Sequence, residues 1–232
     1  MKRLILTVIT IILVSILAIS CPVVPETGGV TEYAIGDTGP AGGIIFYDKG
    51  SFSDGWQYLE AAPYGMQQYN DEPVLNHFED TDYAFKFGYY RTSDDGDNLY
   101  VNSSDSYTNL CTRLEMGEGQ NNTELLVAAM GEEAYAADQG SQKTQFYTAK
   151  LCDDLVYNSY DDWFLPSRDE LAALEEQKSF IPNISESVGF IYYWSSSEGT
   201  TSSQARVIHF TDGQESERTR NMDGPVRCIR RF

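Results

Sequence analysis

The chain has 232 residues, 41% of them hydrophobic, and its 16 basic and 35 acidic side chains leave a formal net charge of −19. That balance argues against a nucleic-acid partner, because neutralising phosphates takes basic surface. The length behind a short leader suits one domain with its own core.

Lys2 and Arg3, followed by the apolar run from Leu4 to Ser20, read as an export signal over residues 1–20. The remainder is then expected outside the cytoplasm. Ala18 and Ser20 lead into Cys21, an arrangement that resembles a bacterial lipobox, whose cysteine is lipidated and becomes the mature N-terminus. Ala18 departs from the usual leucine there. An uncleaved anchor is the alternative, slightly short of the ~20 apolar residues a spanning helix needs. Residues 21–34, with Pro22, Pro25, Gly28 and Gly29, read as a flexible tether, and 35–232 as the domain.

Gly36-Asp37-Thr38-Gly39-Pro40-Ala41-Gly42 scans as two collagen triplets, too few for a triple helix. A turn entering the first strand is expected instead. Strands are predicted over Gly42–Asp48 and Trp56–Ala61, joined by a polar turn. From Pro63 to Gln120 periodicity fades into a Tyr-, Asp-, Asn- and Ser-rich region, where binding residues tend to sit. Its tyrosines, Tyr89, Tyr90, Tyr100 and Tyr107 among them, suit either stacking on a ligand or plain packing. Asp94-Asp95-Gly96-Asp97 clusters hard oxygen ligands without EF-hand spacing, so Asp94, Asp95 and Asp97 are calcium candidates or a solvated turn. No other cofactor is expected.

Helices are predicted over Glu124–Asp138, capped by Asn122 or Thr123, and over Gln145–Leu155. Ser167 and Glu170 form a capping box for a third helix, which gives those polar residues a structural duty. Short strands follow at Tyr192–Ser195, Gln204–Phe210, Gln214–Thr219 and Pro225–Arg230, with Asp212-Gly213 as a tight hairpin. His77 and His209 are the only histidines, no G-x-S-x-G elbow is present and C-x-x-C is absent. Serine hydrolase and zinc chemistry therefore lack their usual parts. Arg218, Arg220, Arg227 and Arg230 crowd the last strands, offering either a basic ligand face or internal pairing with carboxylates.

Four blocks in order carry a family resemblance: Gly36 to Tyr47, then Asp161-Asp162-Trp163-Phe164-Leu165-Pro166-Ser167-Arg168-Asp169-Glu170-Leu171, then Tyr193-Trp194-Ser195-Ser196-Ser197, and Val226-Arg227-Cys228-Ile229-Arg230. The chain from about residue 35 onward resembles the C-terminal domain family of bacterial collagen-like adhesins (Lcl C-terminal-like). That resemblance implies an α+β, C-type-lectin-like fold with short antiparallel strands, two or three helices and long loops. It also implies relatedness to formylglycine-generating enzymes, whose pair of reactive C-terminal cysteines is not matched here, since Cys228 stands alone. The sugar-calcium motifs of lectins are missing as well. By the same resemblance Cys152 would bridge to Cys228, leaving Cys111 odd; three free thiols are the alternative. The implied role is non-enzymatic adhesion by an envelope lipoprotein, with a glycan or a surface protein as partner. Sulfated polysaccharides are the ligands of the adhesin that names the family. A structural envelope component binding protein is the alternative role, with an enzyme of the formylglycine-generating type behind it.

Overall fold

The computed structural model describes residues 31–69, 72–75, 84–90, 113–138, 140–184 and 192–232. Cys21, His77, Asp94, Asp95, Asp97, Tyr100, Tyr107 and Cys111 lie outside them, as do the export signal and most of the tether. Tyr33–Phe232 forms a compact unit.

The first strands are β1 (Ile44–Ser53), β2 (Trp56–Ala61), β3 (Met66–Tyr69), β4 (Glu72–Leu75) and β5 (Ala84–Lys86). Helix α1 (Gly119–Met130), the short pair β6 (Ala134–Tyr135) and β7 (Lys143–Thr144), α2 (Thr148–Asp153) and α3 (Arg168–Glu176) follow. Strands β8 (Tyr192–Glu198), β9 (Gln204–His209), β10 (Glu215–Thr219), β11 (Asp223–Pro225) and β12 (Ile229–Arg231) close the chain. All strand pairs are antiparallel, in sheets ordered β1-β2-β12, β10-β9-β8, β11-β5, β3-β4 and β6-β7. The α+β class read from the sequence is thus the observed one.

Several boundaries move for physical reasons. Helix α1 begins at Gly119 because Asn122 and Thr123 do not cap it; both are buried inside it. Thr123 Oγ1 donates to the Gly119 carbonyl at 2.8 Å and accepts from the Leu165 amide at 3.0 Å, tying the helix to the chain before α3. The helix stops at Gly131, whose φ of 67° and ψ of −151° lie in a positive-φ region that glycine reaches without steric cost. Residues 134 and 135 then enter β6 rather than continuing the helix. Helix α2 is shorter than expected because Tyr147 stays extended and spends its hydroxyl on the Gly131 carbonyl at 2.6 Å.

The expected Pro225–Arg230 strand splits in two. Its first part pairs with β5 and its second with β2, and Val226–Cys228 is the buried crossing between them. In the loop after β9 only Gly213 has positive φ, at 71°, and the residues closing that loop are His209 and Gln214, so it is wider than the predicted tight hairpin. The capping box stands as read: Ser167 Oγ accepts from the Glu170 amide and Glu170 Oε2 accepts from the Ser167 amide at 2.7 Å.

Two apolar clusters hold the unit. One packs Leu126, Leu151, Trp163, Trp194 and Val207; the other packs Phe46, Leu59, Phe164, Leu171 and Phe210. Trp163 and Phe164, adjacent in sequence, face different clusters, as successive residues of an extended segment do. Cys152 of α2 is bonded to Cys228, so the bridge ties the helical layer to the crossing before β12.

Candidate functional site

Three of the four blocks converge on one buried ionic frame. Glu60 of β2 is fully buried, and the Gly39–Gly43 turn wraps its carboxylate, with the Ala41 and Gly43 amides donating at 3.2 Å each. A Cβ at Gly39 would lie 2.2 Å from Glu60 Oε2, which is why the turn needs glycine there. Arg230 of β12 donates to Glu60 at 2.6 Å and to both oxygens of Asp162 at 2.7 and 2.8 Å. Its guanidinium also sits 4.2 Å from the Tyr160 ring centre. Burial pushes the Glu60 carboxyl above the ordinary carboxylate range, while Arg230 and the two amides pull it back. The collagen-like stretch is therefore an oxyanion-type cradle for a structural carboxylate, not a triplet repeat.

A second frame lies between β8 and the chain after β10. Arg220 and Glu198 pair at zero exposure, and the Tyr90 hydroxyl donates to the same Glu198 oxygen. Arg220 Nε donates to the Gln204 carbonyl at 3.2 Å. Arg227 is equally buried and donates to the carbonyls of Ala62, Pro182 and Asn183 at 2.8 to 3.1 Å.

These placements correct the reading of the late arginines as one basic ligand face. Arg220, Arg227 and Arg230 are buried and held by internal acceptors, because a buried guanidinium needs several of them and the bends of this fold supply most. Arg218 is the partly exposed one of the four, stacked 4.5 Å from the Tyr192 ring. Tyr89 and Tyr90 are also buried, with the Tyr89 amide bonded to Tyr135, so neither offers a ring to a surface ligand. What sequence reading missed was the crossing at Val226–Cys228, which turns successive arginines inward.

The serine block is structural too. Ser195, Ser196 and Ser197 occupy a register irregularity between Trp194 and Glu198 and are fully buried. Their hydroxyls donate to the carbonyls of Arg206, Pro166 and Arg113, and the Arg168 amide donates to Ser197 Oγ at 3.1 Å. Thus the serines brace the Leu165-Pro166-Ser167 turn, and His209, the histidine among the described residues, bonds Ser216 at 2.9 Å instead.

Glu170 accepts from the Ser167 amide at 2.7 Å and the Gly117 amide at 3.0 Å, yet burial dominates and lifts its carboxyl to about 7. A raised carboxyl binds its proton in the folded state at pH values where the unfolded chain has lost it. Its stabilising share is full below the unfolded value near 4.5 and is lost as pH rises to about 7. That share is on the order of 3 kcal/mol. Chemical denaturation from pH 4 to 8 should show this fall, and Glu170→Gln, which keeps the capping geometry, should flatten it. An identical slope in the variant would assign the fall elsewhere.

Cavities open among the described residues, two of which bear on the site. One, of about 310 Å³, lies beside β5 and β7 and is lined by Lys86, Lys143, Phe85, Phe146 and Asp223. Its Lys86 is already paired with Asp223 at 2.7 Å. The other, of about 300 Å³, is lined by Glu124 of α1, Asp153 of α2 and the stretch Asp161–Phe164. Among the described residues no group of three or more His, Cys, Asp or Glu side chains is set to hold a metal ion.

Residues 121–230 match the family model of the Lcl C-terminal domain. This chain carries a domain of that family. Among curated proteins, nothing matches the chain. The matched span of the Lcl domain begins inside α1 and ends in β12, so Gly36–Tyr47 lies outside it. Physically the two parts are continuous, because β12 of the Lcl domain pairs with β2 and its Arg230 neutralises Glu60. The domain points to an adhesin-like module.

Proposed function

We propose that the protein is a cell-envelope adhesion module that binds glycans without turning them over and is held at the membrane by a lipid on Cys21. The observation that carries this reading is the Lcl domain over residues 121–230. The buried polar residues in and beside the blocks support binding over chemistry. Glu60, Glu198 and Glu170 are each committed to an arginine or to backbone amides, and the block serines brace a turn. The disulfide fits an oxidising, extracytoplasmic compartment.

The test is a glycan array probed with the purified full chain, with and without a calcium chelator. Binding to a defined glycan set is the expected result. Chelator resistance would place that binding away from the Asp94, Asp95 and Asp97 cluster. No binding to any glycan would overturn the reading in favour of a protein partner in the envelope.

A further inference from the structure

We propose that the cleft between β5 and β7 takes an extended peptide segment of a partner protein, one that brings a carboxylate beside an apolar side chain. This surface is additional to the glycan reading and does not depend on it.

Strands β5 and β7 belong to different sheets, and the chain after β7 touches β5 at the parallel bridge between Lys86 and Tyr147. Between them lies the cavity of about 310 Å³, at the lower end of small-ligand sites, about 300–1,000 Å³. Phe85 and Phe146 give it apolar walls, while Gln142, Lys143 and Thr144 line it with polar groups.

The outer edge of β7 is unpaired at Lys143. The Ala136 amide donates to the Gln142 carbonyl at 2.9 Å, so the alternation of an antiparallel pair assigns the next bonded pair to Ala134 and Thr144. The Lys143 N–H and C=O therefore point away from β6, and neither has a partner among the described residues. Tyr135, opposite Lys143, turns its own amide and carbonyl the other way, to Tyr89 at 3.0 Å each. A donor and an acceptor on one residue of a strand edge match the main chain of an added strand.

Charge supplies the second observation. Among the described lysines and arginines, Lys143 and Arg218 alone hold neither a carboxylate nor a carbonyl oxygen. Of these two, Lys143 lines the cavity, with its Nζ 4.8 Å from the centre of the Tyr135 ring. In a chain with 35 acidic residues against 16 basic ones, a lysine left without a carboxylate in a cavity wall is the group that an incoming carboxylate meets. The net charge of −19 repels an acidic partner, but salt confines that repulsion to ~8 Å, so recognition is by contact with one carboxylate rather than by attraction of an acidic run.

Panning a phage library of random heptapeptides on the purified full chain tests this. Peptides with Asp or Glu close to an aromatic or branched residue should be enriched, and the Lys143→Gln chain should not enrich them. In calorimetry, an enriched peptide should bind Lys143→Gln about tenfold more weakly, the share of one charged bond, with the melting temperature unchanged. N-methylation of the peptide amides should abolish binding at alternate positions and spare it between them, the signature of an added strand. No enrichment, equal binding to Lys143→Gln, or tolerance of N-methylation at every position would overturn the proposal. So would an oligogalacturonate that displaces the peptide and binds more tightly, which would assign the cleft to an acidic glycan. Glycan-array binding should be the same for Lys143→Gln and wild type, and an array without binding would end the adhesion reading while leaving this surface in place.

Discussion

Replacing Arg230 with alanine is expected to destabilise the domain by about 3–5 kcal/mol, the cost of removing one partner from a buried ion pair. The size follows from what the change strands. Glu60 is fully buried on β2 and would keep only the Ala41 and Gly43 amides, while Asp162 would lose both of its bonds. The double variant Glu60→Gln/Arg230→Met should recover part of that loss, because it removes the buried charge and leaves an acceptor for the two amides. Urea denaturation at pH 7 measures all three proteins. A single variant within about 0.5 kcal/mol of wild type, the range of surface changes, would mean that the frame contributes nothing.

The second large effect is expected from Cys152→Ser. The bridge closes a loop with a sequence separation of 76, and losing it frees the unfolded chain. Native bridges of this kind contribute about 2–5 kcal/mol. In a domain of this size each kcal/mol moves the melting temperature by roughly 2–4 °C. A fall on the order of 10 °C should therefore appear in a thermal melt, and reductant should produce the same fall in wild type but none in the variant. A wild-type melt indifferent to reductant would contradict a stabilising role for the bridge.

How much of this was legible in the sequence depended on whether the signal was local. The capping box at Ser167 and Glu170 could be read because its spacing is a property of one helix turn. Strand β2 could be read from its aromatic and branched residues over Trp56–Ala61. The pairing of Cys152 with Cys228 came from family resemblance, since spacing alone does not choose between partners.

The arginines show where local reading stops. Exposure of Arg220, Arg227 and Arg230 depends on acceptors contributed by Glu198, Ala62, Pro182, Asn183, Asp162 and Glu60, far away along the chain. No pattern within the last strands reports those partners. Likewise Gly131 ends α1, but its positive φ looked no different in sequence from any glycine near an apolar stripe. The acidic cavity was invisible for the same reason: Glu124, Asp153 and Asp161 meet only after α1 and α2 pack.

The most direct test of the central claim is to let the full chain retain a glycan from the array and then release that glycan for mass spectrometry after prolonged incubation. The account predicts retention with every glycan mass unchanged. Cleaved or otherwise modified products, lost on replacing a single carboxylate, would show an enzyme and contradict the reading of the Lcl domain as a binding module.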